Sequence, residues 1–185
     1  MLIDYEKESM WLLYQCGIRV NTQRKASNID LLNIVRRLRV EYREFPMDGE
    51  MGGVWMRSDD LSVTPHYIFI NSAHPAVRKR FSLGHEIGHY WLGHDSDFSL
   101  ESDHSTEKER QADHFSAALN MPKDSIYEKH CSLSTVRQIA AWFRVSDVSC
   151  ALRLLYLGLR REEAELVVRH YYDGGRVATH DEKLR

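Results

Sequence analysis

The sequence predicts an α+β fold in which a small three-stranded antiparallel sheet leads into a series of helices. Three observations predict it. Short runs rich in β-branched and aromatic residues (39–45, 53–57 and 66–71) are separated by turn chemistry, Pro46-Met-Asp-Gly-Glu-Met-Gly-Gly53 and Arg57-Ser-Asp-Asp60. Beyond residue 80, apolar residues recur at helical spacing, in Phe81, Leu83, Ile87 and Trp91 and again in Ala112, Phe115 and Leu119. At 185 residues, 43% hydrophobic and 28% charged, the chain can bury a real core in water.

Taken in order, residues 4–16 read as a first helix ending at Cys16-Gly17, with Met10, Trp11 and Leu13 as its apolar side. A polar link, 21–27, follows. Asn28 is the expected N-cap of a second helix running through Ile29, Leu32, Val35 and Arg36. The three extended runs come next, and 53–57 is the candidate edge strand, against which an extended peptide could pair. A plain hairpin explains the same residues. Residues 95–105 read as a loop whose Asp95, Asp97, Glu101, Asp103 and His104 are either solvated or a second metal site. A further helix from Thr106 is stopped by Pro122, with Met121 packed beneath it. Residues 134–143 and 147–157, joined by Arg144-Val-Ser146, resemble a helix-turn-helix, and 174–185 a frayed tail.

Chemistry concentrates in Phe81-Ser-Leu-Gly-His85-Glu86-Ile-Gly-His89-Tyr-Trp-Leu-Gly-His94. His-Glu-x-x-His on a helix sets two imidazoles on one face, one turn apart, with a carboxylate beside them. His85 and His89 can then bind one Zn²⁺, which lowers the pKa of water to about 7 while Glu86 removes its proton. A buried helix has little other reason to gather two histidines and a glutamate, because buried charge is costly unless paired or bound to metal. Gly84 and Gly88 are poor helix formers, so another backbone is expected to pass close to that face.

A zinc site needs a third protein ligand. One zincin subgroup continues the motif with Gly and His at positions that here hold Leu92 and Asp95, and His94 is one residue out of step. The alternative is a carboxylate from the helix that follows. Glu109 and Asp113 stand four apart on one face of it, the Glu-x-x-x-Asp arrangement of thermolysin-like zinc peptidases. There the Glu ligates zinc and the Asp holds the second ring nitrogen of a ligand histidine. A capping box between Thr106 and Glu109 is the competing reading and does not exclude ligation. The sheet and the motif helix together predict a zincin-like core over 1–130, with a helical C-terminal subdomain, 131–173, packed on it. The donor set suits zinc first, with Mn²⁺ or Fe²⁺ also possible. Tyr90, His114 and His66 all remain open as donors to an oxyanion.

Beyond the motif, the chain resembles the ImmA/IrrE metallopeptidases. The resemblance rests on Phe81-Ser-Leu-Gly-His85-Glu86-Ile-Gly-His89 and on Glu109-x-x-Ala112-Asp113-x-Phe115-Ser-Ala-Ala-Leu119-x-Met121-Pro122. Ile68-Phe-Ile-Asn71 upstream, and Ile139-Ala-Ala-x-Phe143-x-Val-Ser146 with Arg153-Leu-x-x-Leu-x-Leu downstream, extend it over roughly residues 30–160. It implies a cytoplasmic zinc peptidase of bacteria, phages or mobile elements that cleaves a partner transcriptional repressor under stress. Asp113 stands where Asn is common, and Asn120 interrupts a usually apolar run; neither change removes a ligand. The separate N-terminal DNA-binding domain of many relatives is not expected here.

The remaining features exclude more than they assign. A net charge of −2 gives no global attraction to nucleic acid or anionic membrane. Cys16, Cys131 and Cys150 are odd in number and lack metal spacing, as reduced cytoplasmic thiols would. Asp4, Glu6, Lys7 and Glu8 do not read as a charged-then-apolar signal segment, so none is expected, and no apolar run reaches the length of a membrane span. Arg137, Arg144, Arg153, Arg160 and Arg161 against Asp147 make 134–161 locally basic, but Asp147, Val148 and Ser149 are poor base readers. Direct DNA binding is therefore not expected, and the segment is read as substrate docking or structure. Two functions stand against each other: a narrowly specific peptidase, and a non-catalytic binding regulator that retains structural zinc. An intact Glu86 favours the enzyme, since a structural zinc site needs no general base.

Overall fold

The computed structural model describes residues 3–20, 29–49, 51–58, 66–94, 106–159 and 161–173. Among them are α1 (Tyr5–Gln15), α2 (Leu31–Arg37), β1 (Glu41–Phe45), β2 (Gly53–Arg57), β3 (His66–Asn71), α3 (Ala76–Trp91), α4 (Thr106–Asn120), α5 (Lys123–Ser132), α6 (Val136–Phe143), α7 (Asp147–Tyr156) and α8 (Glu162–Tyr172). The chain forms two compact units. One comprises Met1–Arg19 with Ile29–Leu119, the other Val20–Asn28 with Asn120–Arg185.

The sheet of the first unit is mixed, which corrects the all-antiparallel expectation. Its order is β1-β3-β2, with β3 antiparallel to β2 and parallel to β1. Strand bounds are legible in a sequence, but strand order depends on what the connections allow. Here the β1–β2 connection is held open by Asn71 at the end of β3. Its buried amide accepts from the backbone of Met47 (3.2 Å) and Ala73 (3.0 Å) and donates to the carbonyls of Met47 (3.1 Å) and Met51 (3.0 Å). That hub lets β3 enter the middle. Ile68 and Ile70 of β3 are fully buried, whereas β1 presents Glu41, Arg43 and Glu44 to solvent, as a protected edge does.

Helix α1 begins at Asp4, whose carboxylate caps Lys7 N–H (3.1 Å), and ends before Gly17 in the left-handed region. Its buried side is Ser9, Leu12 and Leu13; Met10 and Trp11 face solvent, so only Leu13 of the three expected apolar contacts is internal. The expectation followed residue type, whereas the helix phase selects Leu12 over Trp11. Helix α2 is capped by Asp30, which accepts from Asn33 N–H at 3.1 Å. Asn28 and the link before it lie outside the described residues, as do the 95–105 loop, Asp59, Asp60 and the 174–185 tail.

Helix α3 packs on β2 and β3, and Leu83 and Ile87 reach the core. Helix α4 closes on α3 through Gly88. A Cβ at Gly88 would meet Phe115 Cδ1 at 3.2 Å and the Ala112 backbone at 3.3 Å, so the glycine permits the close approach. Ser116 Oγ donates to the Phe81 carbonyl across the same contact at 2.8 Å.

In the second unit, α6 opens on a Thr135–Gln138 capping box, and Arg144 in the left-handed region turns the chain into α7, capped by Ser146. The core is Met121, Ile126, Val136, Ile139, Phe143, Leu154 and Ala164. Arg153, 2% exposed, donates through Nε (3.2 Å) and Nη2 (3.1 Å) to the Met121 carbonyl. Arg161 donates to His130 Nδ1 (2.9 Å) and to the carbonyls of His130, Ser134 and Leu133. Two of the five arginines that made 134–161 basic are thus spent on backbone carbonyls of the second unit.

Candidate metal centre

Helix α3 places His85 and His89 one turn apart with Glu86 between them, and α4 brings Glu109 and Asp113 across from it. His85 Nε2 stands 2.9 Å from His89 Nε2 and 3.2 Å from Glu109 Oε2, and His89 Nε2 lies 3.4 Å from Glu109 Oε1. The ligand atoms of His85, His89 and Glu109 all lie within 4.8 Å of one another, a group that could hold a metal ion. Asp113 Oδ1 meets the other ring nitrogen, His85 Nδ1, at 2.9 Å. Two imidazoles and a carboxylate are the donor set of a zinc site with an open position.

Electrostatics follows from this crowding. Burial alone disfavours the His85 imidazolium, yet the bonded carboxylates of Asp113 and Glu109, with Glu86 nearby, push it up to about 10. Glu109 is held well below the usual carboxylate range by its hydrogen bonds to His85 and His89. The two shifts are the two sides of one contact, a carboxylate and an imidazole that share a proton, and a metal ion would compete with that proton for the same atoms.

Glu86 differs from Glu109. It is 6% exposed, and burial raises its proton affinity, opposed by the two imidazoles and by a hydrogen bond from the Trp55 N–H on β2. That donor comes from the strand's outward edge. Asn71 N–H donates to Gly52 O at 3.0 Å in the β2–β3 ladder. By the alternation of an antiparallel pair, Val54 and Met56 face β3, while Gly53, Trp55 and Arg57 direct their backbone groups outward. Gly53 is required there: a Cβ would meet Ile70 Cδ1 at 2.7 Å, Phe69 O at 2.8 Å and Glu86 Cγ at 3.2 Å.

Residues 36–155, well over half of the chain, match the family model Peptidase_M78, the IrrE N-terminal-like domain. The chain belongs to the Peptidase_M78 family. No match is found among curated proteins. The Peptidase_M78 assignment points to a peptidase and accords with the resemblance drawn from the motifs. Its matched region takes in every residue of the group described above.

Two contributors escaped the sequence reading. His94, rejected on spacing as a ligand, lies behind His89, Nδ1 to Nδ1 at 3.0 Å, and the Trp55 N–H is a backbone group that no side-chain pattern reveals. Of the open oxyanion donors, His114 stacks on Tyr5 (ring centroids 5.3 Å), while His66 packs edge-on against Tyr90 (4.9 Å). The Thr106 side chain, and with it the alternative capping box, lies outside the described residues.

Proposed function

We propose that this chain is a zinc-dependent endopeptidase of narrow specificity, with a zincin-like, thermolysin-like core. Its favoured substrate is a partner DNA-binding repressor in a stress or mobile-element response in the cytoplasm. The observation that carries the reading is the convergence of His85 Nε2, His89 Nε2 and the Glu109 carboxylate beside a buried Glu86. In this reading those three residues are the metal ligands, and Asp113 holds His85 by its second nitrogen. Zinc bound there would polarise a scissile carbonyl and acidify water, and Mn²⁺ or Fe²⁺ suits the same donors.

Glu86 takes the proton of the attacking water and returns it to the leaving amine nitrogen. Its burial makes it a stronger base than an exposed glutamate, which suits proton transfer near neutral pH. The Trp55 N–H fixes the direction of the carboxylate. No strand among the described residues pairs with the outer side of β2, and Gly53 and Arg57 there give an extended substrate backbone groups to pair with. Among the described residues no helix is long and apolar enough to cross a membrane.

The test compares new protein N-termini in host cells expressing wild type or Glu86→Gln. Ends formed only by wild type, in one or a few proteins, support the peptidase and name the bond. Matching sets at rest and under stress would sink catalysis and favour a zinc-holding binding regulator.

A further inference from the structure

Resting on the metal-site reading above, we infer that His94 is a positioning residue that fixes the tautomer and ring orientation of His89, held in turn by Gln111. The backbone puts it there. Helix α3 ends with Gly93 in the left-handed region (φ 69°), Gly93 N–H bonded to Tyr90 O at 3.3 Å and His94 N–H to His89 O at 3.0 Å. This is the paired closure of a Schellman turn, and it folds residue 94 back under the last helical turn. The side chain of His94, 8% exposed, then meets His89 Nδ1 at 3.0 Å through its own Nδ1.

Proton positions along this chain follow from its far end. Glu107 can only accept as a carboxylate, so the Gln111 amide donates its N–H to Glu107 Oε1 at 3.0 Å and turns its oxygen inward. That oxygen lies 3.0 Å from His94 Nε2, which must therefore carry the hydrogen. Neutral His94 is left with a lone pair on Nδ1, so the hydrogen between the rings belongs to His89 Nδ1. His89 Nε2 then keeps its lone pair towards His85 and Glu109. Asp113 imposes the same order on His85 from the other side, since a carboxylate requires a hydrogen on His85 Nδ1. Both Nδ1 atoms are thereby engaged, and both Nε2 atoms are the ones left for a metal, held from opposite supports, one charged and one neutral.

The experiment is zinc affinity of the full-length protein, by competition with a chromophoric chelator, together with the visible spectrum of the Co²⁺-loaded protein. His94→Phe keeps the ring volume and deletes the acceptor. His94→Asn restores an acceptor. The expected result is a fall of about 10–100-fold for His94→Phe, recovered at least in part by His94→Asn, with a changed Co²⁺ ligand-field spectrum in the Phe variant alone. Thermal melting of the metal-free proteins separates positioning from folding. If His94→Phe melts early, Gln111→Leu carries the test, because His94 stays in place while its hydrogen loses direction, and a fall in affinity of the same sign is expected. Unchanged affinity and spectrum in the folded His94→Phe protein, or in Gln111→Leu, would overturn the inference. Failure of wild type itself to take up Zn²⁺ or Co²⁺ would overturn the metal reading instead, so the two failures are distinguishable.

Discussion

The two units use buried polar groups in opposite ways. In the second, Arg153 and Arg161 turn inward and are satisfied by the carbonyls of Met121, His130, Leu133 and Ser134. In the first, His85, His89 and Glu109 crowd acceptor atoms together, and Glu86 is buried at a cost to its ionisation. A polar interior that closes on itself serves stability; one that leaves lone pairs converging serves a ligand.

Replacing a member of each kind breaks the comparison open. Glu86→Gln should reduce cleavage by about 10²–10⁴-fold, the usual share of general acid–base catalysis. Zinc uptake should persist, and the metal-free melting temperature should not fall, because an amide carries no charge to desolvate. A lower melting temperature with unchanged cleavage would put Glu86 among the structural groups. Arg153→Leu should do the reverse. It strands the buried Met121 carbonyl and should cost about 2–3 kcal/mol in urea unfolding, with zinc affinity retained. Loss of zinc with it would show that the second unit supports the metal centre.

Smaller effects sharpen the same contrast. Gly88→Val adds side-chain atoms where even a Cβ would lie 3.3 Å from the Ala112 backbone. Overpacking of this kind costs about 1–3 kcal/mol. It should also weaken zinc, since α3 and α4 carry the donors; equal zinc affinity in a destabilised Val variant would argue that their spacing does not matter. Finally, native protein should expose one thiol to an aqueous disulfide reagent, Cys131, while Cys16 and Cys150 stay masked until denaturation. Burial pushes Cys150 up to about 12, so little thiolate forms near neutral pH even if the reagent enters. Three fast thiols in the native state would contradict the packing of both units.

Local features were readable because their physics is local. The helix of His85, Glu86 and His89, the stop at Pro122, and the tight turn at Arg144–Ser146 each follow from spacing or from one residue's conformational limits. The strands 53–57 and 66–71 emerge with the bounds the turn residues suggested. Their order did not, because Asn71 acts on residues 20 and 24 positions away and nothing in the strand pattern encodes that reach. The apolar side of α1 was misjudged for a related reason: Trp11 is hydrophobic, but the helix turns it to solvent.

What the sequence alone determined is the pairing of two imidazoles and a carboxylate on one helix, because a period of 3.6 residues fixes that face without help from the rest of the chain. The spacing of Glu109 and Asp113 on a second helix belongs to the same class. The tertiary structure decided which atoms meet. It set Glu109 between both histidines, gave Glu86 a strand N–H as partner, and turned His94 from a misplaced ligand candidate into a contact of His89. Each depends on how close two backbones come, and at Gly53 and Gly88 that distance is set by the absence of a side chain.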